Sequence, residues 1–249
     1  MGNIKLKDIS TRAPKDWDKE ETKAKTAAIL QQLDELQNLL FAESKHAVLL
    51  VLQGMDASGK DGTIRKVFAT LNPQGVRVHS FKVPTTEELS HDFLWRIHAA
   101  APPKGMIQIF NRSHYEDILV TRVHKLIDDK TAGKRMKAIN DFEQLLQEHN
   151  STTILKFYLH ISPEEQEQRL RERISNPAKQ WKYNEGDFKE AQLWNDYRAA
   201  YEDCFEHCND VPWNIVPADQ NWYKEYIIAH TLLKALEKLD MKYPGLKKG

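Results

Sequence analysis

A strand followed by a glycine-bearing loop is the part of the chain whose residue types and spacing point most directly to chemistry. Residues 48–52 are all apolar and β-branched at two positions, which predicts a buried parallel strand. The loop Gly54-Met55-Asp56-Ala57-Ser58-Gly59-Lys60-Asp61-Gly62 then matches the pattern G-x-x-x-x-G-K. Glycines let successive backbone N–H groups turn toward one anion, and the helix that follows adds its positive N-terminal end. The loop therefore predicts a phosphate-binding site, with Lys60 as its mobile charge.

One position of the loop departs from the usual pattern. Asp61 stands where Ser or Thr normally places a hydroxyl on Mg²⁺. A metal must then be held by another residue, and Asp56 inside the loop is the candidate. The alternative for the whole segment is an ordinary glycine-bearing connection between a strand and a helix.

A second cluster of polar residues follows another predicted strand, at residues 106–110. It reads Asn111-Arg112-Ser113-His114-Tyr115-Glu116-Asp117. Ligands of open parallel sheets bind at the carboxyl ends of the strands, so this segment and the glycine loop are expected to face one cleft. There Arg112 can contact phosphate oxygens bidentately, and Glu116 or Asp117 can bind a metal or orient a nucleotide. The alternatives are helix capping by Asn111 and Ser113, a packed or solvent-facing His114, and a core position for Tyr115.

A third feature is a basic segment at residues 169–182, which holds five basic residues and one acidic residue. Arg169 and Arg173 are four positions apart and lie on one helical face. Asn176-Pro177 ends that helix, and Trp181 is expected to anchor the returning chain. We expect this segment to be a mobile lid that excludes water and neutralises charge on a transferring phosphoryl group. The alternative is a solvated helix whose arginines pair with Glu164, Glu165 and Glu172.

Strands alternate with helices along the chain, which predicts a three-layer α/β/α sandwich around a mainly parallel five-stranded sheet. We predict one domain over residues 1–249, with an N-terminal arm and helix at 1–45 and the basic lid at 163–185. The expected strands are 48–52, 76–81, 106–110, 153–159 and 212–217. The expected helices are about 17–41, 63–71, 85 to beyond 97, 113–123, 134–148 and 222–239.

The composition excludes several classes of protein. The 36 basic and 36 acidic residues cancel, which argues against nucleic-acid binding through overall charge. The two cysteines, Cys204 and Cys208, form no disulfide framework and suggest a reducing compartment. With His207 they are more typical of a helix with buried thiols than of a zinc site. No apolar signal core or membrane-length apolar run is present, so we expect a cytoplasmic protein without a membrane partner.

These motifs resemble those of the polyphosphate kinase 2 family of polyphosphate:nucleotide phosphotransferases. The resemblance rests on residues 54–62, on residues 110–117 and on the lid end Lys179-Gln180-Trp181-Lys182-Tyr183. It covers nearly the whole chain, from the leading helix to about residue 235. Many relatives carry Phe-Asp-Arg-Ser-Trp-Tyr-Asn-Arg in the second motif, where Asn111 and Glu116 here replace the Asp and the Asn. The version found here is similar to the subgroup that phosphorylates both nucleoside monophosphates and diphosphates.

The resemblance implies a P-loop kinase fold, Mg²⁺ as cofactor, and a basic channel for the polyphosphate chain. It implies metal or phosphate-orienting work for Asp56, phosphate binding for Lys60 and Arg112, and lid contacts for Arg169 and Arg173. Asn111 and Glu116 are the candidates for the second metal ligand, and Glu116 can also discriminate the acceptor. Further phosphate or nucleotide contacts are expected from Gly54, Met55, Ala57, Ser58, Gly59, Asp61, Gly62, Thr63, Lys179 and Lys182. Relatives tend to form dimers or tetramers, so a homo-oligomer is expected.

The reaction implied is direct, in-line transfer of a terminal phosphoryl group from inorganic polyphosphate to ADP, and also to AMP, with reversal possible. One alternative is an ATP-dependent nucleotide monophosphate kinase of thymidylate-kinase type, which shares the fold and the lid but usually keeps Ser or Thr after the loop lysine. The other is a catalytically silent nucleotide-binding regulator.

Overall fold

The computed structural model describes residues 4–246, and its centre is one five-stranded sheet in which all neighbouring strands are parallel. The strands are β1 (Ala47–Gln53), β2 (Val76–Ser80), β3 (Ile107–Asn111), β4 (Thr152–His160) and β5 (Trp213–Pro217), in the spatial order β2-β3-β1-β4-β5. The helices are α1 (Lys19–Glu43), α2 (Lys60–Val67), α3 (Thr86–Leu89), α4 (Trp95–Ala99), α5 (Glu116–Val123), α6 (Asp129–Asn150), α7 (Pro163–Ser175), α8 (Glu185–Ala191), α9 (Trp194–His207) and α10 (Asn221–Glu237).

The side chains of β1 alternate between two hydrophobic cores, one on each face of the sheet. Leu49 and Val51 pack with apolar residues of α5, α6 and α9. Val48, Leu50 and Leu52 pack with apolar residues of α1, α2 and α10. Every residue of β1 is buried, because helices cover both faces of a parallel sheet. The predicted three-layer sandwich is confirmed.

The register of β1 and β3 brings the two predicted phosphate-contacting segments side by side. Leu52 of β1 lies opposite Asn111 of β3. The next residue, Arg112, donates its backbone N–H to the Leu52 carbonyl at 3.1 Å. The carboxyl ends of the two central strands therefore meet at one edge of the sheet, as parallel pairing requires.

The prediction of one continuous helix from residue 85 to beyond 97 is wrong, since two short helices, α3 and α4, form there instead. The predicted start is correct, because Thr85 and Glu88 form a capping box. The break follows from Asp92, whose side chain accepts the Leu94 backbone N–H at 2.9 Å and so competes with helical hydrogen bonding. Trp95, the first residue of α4, is half-exposed and stacks on His91.

Other boundaries shift by a few residues. The helix after the glycine loop begins at Lys60 rather than 63 and ends at Val67 rather than 71. The helix of the second motif begins at Glu116 rather than 113, and α6 extends further at both ends than the expected 134–148. Asp128 caps α6 by accepting the Thr131 backbone N–H at 2.8 Å, which explains its earlier start. Within residues 4–246, each helix is too short or too polar to span a lipid bilayer.

A buried ion pair lies under the second motif, between α6 and β4. Lys156 donates to Glu143 at 2.8 Å and to the Tyr115 hydroxyl at 2.7 Å, and all three side chains are buried. His114 and the Tyr115 hydroxyl reach the other Glu143 oxygen at 3.2 and 2.8 Å. Burial opposes ionisation of Glu143, yet Lys156 and His114 hold the pKa of this carboxyl below its usual range. This network, which comes from α6 and β4, holds the His114 and Tyr115 side chains in place and so fixes the backbone of the second motif.

We expect Glu143→Gln to lower the free energy of unfolding by about 3–5 kcal/mol, because it leaves the Lys156 charge buried without its counter-charge. Urea denaturation measures this change. The matched control is Asp141→Asn, also in α6, which breaks an exposed i,i+4 pair with Lys137. That control should change stability by at most about 0.5 kcal/mol. Equal effects of the two substitutions would contradict a structural role for the buried pair.

Candidate active site

The side chain of Lys60 folds back over the glycine loop instead of pointing away from it. Its Nζ donates to the Gly54 carbonyl at 2.7 Å and to the Met55 carbonyl at 3.2 Å, and lies 3.4 Å from Ser58 Oγ. Burial, followed by the nearby Arg112, lowers the pKa of Lys60 to about 8. A phosphate group entering the loop would supply the negative charge that this half-buried ammonium group attracts.

Three further side chains hold loop carbonyls from outside the loop. Two come from α7 and one from α10. The pairs are Gln166 Nε2 to the Asp56 oxygen at 3.0 Å, Arg169 Nη1 to the Ala57 oxygen at 3.0 Å, and Lys224 Nζ to the Gly59 oxygen at 3.4 Å. Because a peptide carbonyl and the N–H of the same peptide group point in opposite directions, these bonds constrain where the loop N–H groups can point.

Backbone geometry explains the glycines at 54 and 59. Gly54 has φ of 150°, and a Cβ there would lie 2.8 Å from the Leu159 carbonyl oxygen. Gly59 has φ of 95° and precedes the first residue of α2. Ala57 also has a positive φ, of 61°, which is uncommon for a residue with a side chain. The loop is therefore a strained, tightly specified turn of the kind found at binding sites.

Arg112 joins the second motif to the loop. Its φ of 63° turns the chain at the end of β3. Its Nη2 donates to Asp56 Oδ1 at 3.0 Å. Burial works against its charge, yet Glu116 and Asp56 hold the pKa of Arg112 above its usual value. The structure thus brings together Asp56 and Arg112, which sequence reasoning had predicted to share a cleft.

Glu116 is the first residue of α5 and carries an unusual carboxyl group. Burial raises the pKa of Glu116, although Arg112 and Lys60 act in the opposite direction. With its amide nitrogen on the Glu116 side, Gln53 donates to Glu116 Oε1 at 3.0 Å, and its oxygen accepts the Ser113 backbone N–H at 3.1 Å. A carboxyl group held among cations at a cavity wall can bind a metal-bearing phosphate or an acceptor group.

Asp61 and Asn111 contact each other rather than the Asp56 side of the site. The Asn111 amide donates to Asp61 Oδ1 at 2.9 Å, and Lys182 of the lid donates to Asp61 Oδ2 at 2.8 Å. Burial opposes ionisation, but these two hydrogen bonds hold the pKa of Asp61 below its usual range. Asp61 therefore connects the loop helix to the lid, a role its position after Lys60 does not reveal.

The basic lid is mostly exposed, and its arginines have protein partners. Arg169 bonds the loop carbonyl of Ala57, two carbonyls before α10 and the Glu165 carboxylate. Arg173 pairs with Asp187, and Lys179 pairs with Glu172. The expectation that Trp181 anchors the lid is wrong, since it is 77% exposed and its indole N–H donates to the nearby Ala178 carbonyl at 3.1 Å.

The remaining predicted loop residues differ in their access to ligand. Ser58, Thr63 and Met55 are buried. Gly62 is exposed, and a Cβ there would meet nothing within 4 Å. In the second motif, His114 and Tyr115 are core residues bonded to Glu143, and Ser113 is buried against Gln53. Cys204 and Cys208 are buried thiols whose pKa values burial raises.

A cavity of about 400 Å³ lies beside the loop, and residues of the segment 184–191, Asp187 among them, line it together with two further groups. Asp56, Arg112 and Glu116 form a charged wall. Leu119 and Val120 of α5 and Trp194, Tyr197 and Tyr201 of α9 form an apolar and aromatic wall. Sequence reasoning missed the α9 residues, although 194, 197 and 201 recur at helical spacing and would have indicated one face of a helix. Tyr201 also accepts the Gly54 backbone N–H at 3.2 Å.

The oxygen ligands at the cavity suit Mg²⁺ carried by a phosphate chain. Asp56 and Glu116 line the same cavity, and the charge of Asp56 contributes to the raised pKa of Glu116 after burial. Within residues 4–246, no group of three or more His, Cys, Asp or Glu side chains is placed to hold a metal by itself. Mg²⁺ commonly takes only one or two carboxylates and completes its shell with water and substrate phosphates. Asp56 and Glu116 fit that requirement.

We expect Gly54→Ala to lower the free energy of unfolding by about 1–3 kcal/mol, because φ is positive there and the Leu159 backbone cannot move aside. Gly133→Ala is the matched control, since Gly133 lies within α6 and a Cβ there meets nothing within 4 Å. It should raise stability by about 0.5–1 kcal/mol through helix propensity. Urea denaturation compares the two, and a stabilising Gly54→Ala would contradict the loop geometry.

Comparisons with known proteins agree with this geometry. The AMP/ADP-polyphosphate phosphotransferase of Meiothermus ruber is 51% identical over 220 residues, which cover 88% of this chain and 82% of that protein. The ADP-polyphosphate phosphotransferase of Rhodopseudomonas palustris is 44% identical over 86% of this chain and 79% of its own length. The crystal structure of polyphosphate kinase 2 from Arthrobacter aurescens has a TM-score of 0.95 at 41% identity and covers all of this chain and 90% of its own. Since the family model of polyphosphate kinase 2 matches residues 16–244, the chain belongs to the polyphosphate kinase 2 family.

Proposed function

We propose that this protein is a Mg²⁺-dependent kinase that transfers a terminal phosphoryl group from inorganic polyphosphate to ADP and to AMP, in a reversible reaction. The observation that carries the proposal is the contact between the glycine loop and the second motif, through Arg112 and Asp56, at the wall of one cavity. The names of the Meiothermus ruber and Rhodopseudomonas palustris relatives supply the donor and the acceptors.

The cavity suits a nucleotide acceptor. Its volume of about 400 Å³ falls within the range of small-molecule sites. A nucleotide has a charged phosphate end and a flat base, and the cavity has a charged wall at Arg112 and an aromatic wall at Trp194 and Tyr197. Phosphates at the charged wall would leave the base against α5 and α9.

The residues of the chain act by binding, positioning and neutralising charge. Lys60 moves from the Gly54 carbonyl to the incoming phosphates, since its present acceptors are neutral oxygens. Arg112 donates to the transferring group and stabilises the charge that spreads over its oxygens in the transition state. Asp56 and Glu116 would hold Mg²⁺, which when bound neutralises and aligns the phosphate oxygens. The acceptor phosphate already carries an oxyanion, so a nucleophilic side chain is not required.

The lid supports the proposal by connecting to the loop at several points. Arg169 holds the loop from behind, while Lys182 reaches Asp61 at the start of α2. Arg173 lies opposite Asp187, a residue of the cavity wall whose pKa is raised by burial and by Asp56. A phosphate chain that displaces Asp187 would gain Arg173 as a partner, which would couple lid movement to donor binding.

The alternative of an ATP-dependent kinase of thymidylate-kinase type is not favoured. Its usual Ser or Thr after the loop lysine is absent here, and the Asp61 found there is engaged by Asn111 and Lys182. We extend the proposal to a homo-oligomer, a dimer or tetramer, in the cytoplasm. The oligomer is proposed because relatives in the family tend to form dimers or tetramers. The cytoplasmic location is proposed because the two buried cysteines are free thiols.

The donor test is incubation of the purified protein with Mg²⁺, AMP and either inorganic polyphosphate or ATP, followed by chromatographic separation of the nucleotides. We expect ADP and ATP to form with polyphosphate and much less ADP to form with ATP as donor. Faster transfer from ATP would contradict the proposed donor.

Lys60→Met should lower turnover with polyphosphate and ADP by about a thousandfold, because removing a preorganised charge at the transferring group loses about 4 kcal/mol of transition-state stabilisation. The matched control is Lys137→Met, which removes an exposed lysine of α6. That variant should keep the wild-type rate, and near-normal turnover of the Lys60 variant would remove the loop lysine from the mechanism.

The pH dependence of kcat/KM for polyphosphate should report the state of Lys60 in the free protein. Lys60 is charged below its pKa of about 8 and loses its proton above it. We therefore expect kcat/KM to fall about tenfold per pH unit once the pH exceeds that value. Initial rates between pH 6 and 10 measure the profile, and a constant kcat/KM up to pH 10 would contradict the assignment.

A further inference from the structure

Lys224 is a buried lysine directly behind the glycine loop. It belongs to the first turns of α10, and only 1% of its surface is exposed. Its Nζ donates to Asn221 Oδ1 at 2.8 Å and to the Gly59 carbonyl at 3.4 Å, and both acceptors are neutral. A Cβ built on Gly59 would lie only 2.4 Å from this Nζ, so the ammonium group touches the loop where α2 begins.

The charged groups around Lys224 do not neutralise it. From α7, Arg169 faces it with a positive charge and Glu165 with a negative one; from α2, Lys60 adds a second positive charge; within α10, Glu225 is the neighbouring carboxylate. The Glu165 carboxylate is bonded to Arg169 at 2.7 Å, and burial raises the pKa of Glu225, with Lys224 opposing that rise. Lys224, Arg169 and Lys60 thus lie around one loop. Burying a charge without a nearby counter-charge lowers the stability of the fold.

A charge in this position is explained if the missing counter-charge arrives with the ligand. The neighbouring loop and the N-terminus of α2 form the predicted phosphate site, so an anion bound there would lie across the loop from Lys224. The folded chain then carries an electrostatic penalty that phosphate binding removes.

We propose that Lys224 is a positioning residue of the phosphate loop, which holds the Gly59 carbonyl and becomes fully protonated when a polyanionic phosphate chain binds. The inference rests on the proposed function only in assuming that the loop binds phosphates. Lys224 touches the loop and not the reacting atoms, so it acts through the loop.

The electrostatic surroundings of Lys224 agree with this geometry. Burial, followed by Arg169 and later by Lys60, lowers the pKa of Lys224 to about 7. At pH 8 the free protein therefore holds this side chain mostly neutral, while at pH 6 it is already charged. An anion in the loop raises the pKa again, so binding takes up a proton at pH 8 and almost none at pH 6.

The test is calorimetric titration of ATP into the full chain, in EDTA to prevent turnover, at pH 6 and pH 8. At each pH, two buffers of different ionisation enthalpy give the number of protons taken up. The variants are Lys224→Met, which removes the charge at similar length, and Lys224→Arg, which keeps a charge that does not titrate. Thermal unfolding of each variant shows whether it is folded, and the wild type minus variant difference cancels the protonation of ATP itself.

We expect the wild type at pH 8 to take up more protons than either variant, by a difference approaching one, and the difference to vanish at pH 6. Lys224→Met should bind ATP about tenfold more weakly at pH 6, because a buried charge near the phosphates is lost. Its thermal stability should not fall, since removing an unpaired buried charge does not destabilise the fold.

Equal proton uptake in the wild type and Lys224→Met would overturn the inference, even if affinity fell, because it would leave only a packing role. If Lys224→Met does not fold, the comparison uses Lys224→Arg. Proton uptake by Lys224→Arg at pH 8 equal to that of the wild type would overturn the inference as well. Failure of the wild type to bind ATP in EDTA would overturn this inference, whereas the proposed function is tested separately by the donor assay, which contains Mg²⁺. ATP binding with the expected extra proton uptake, but without phosphoryl transfer from polyphosphate in the donor test, would overturn the proposed function alone.

Discussion

The site depends on hydrogen bonds that hold the carbonyl groups of the glycine loop. Lys60 takes the first two of these carbonyls, and side chains of α7 and α10 take three others. A free loop of this kind would have many conformations, and its polar groups would compete with an incoming anion. Because its acceptors are already bonded to protein donors, the loop can offer N–H groups to phosphate without first rearranging.

The same bonds explain why the site is rich in cations although the chain is neutral overall. Lys60, Arg112, Arg169 and Lys224 surround a loop that contributes two carboxylates, Asp56 and Asp61. Carbonyl dipoles and the half-buried Glu116 carboxyl group hold these cations close together. Such an arrangement is unfavourable in the empty site and favourable once several phosphate charges enter, which matches a chained polyanion better than a single phosphate.

Packing below the sheet edge determines the geometry of the second motif. Glu143 and Lys156 bond Tyr115 and His114 from α6 and β4, so Arg112 and Glu116 project from a fixed segment. The sequence could show that Arg112 and Glu116 follow a strand, but not that a distant ion pair supports them. Residues 143 and 156 lie in separate elements, and only the fold brings them to residue 115.

Local sequence was sufficient for the layers, the strand order along the chain, the glycine loop and the segment 111–117. Apolar runs, helical periodicity and glycine spacing are properties of neighbouring residues, and the comparisons confirm the family that these motifs resemble. The exposure of Trp181, the aromatic wall of α9, the pairing of Asp61 with Lys182 and the burial of Lys224 could not be read this way. Each depends on contacts between residues far apart in the chain, whose partners and solvent access are set by how the helices pack on the sheet.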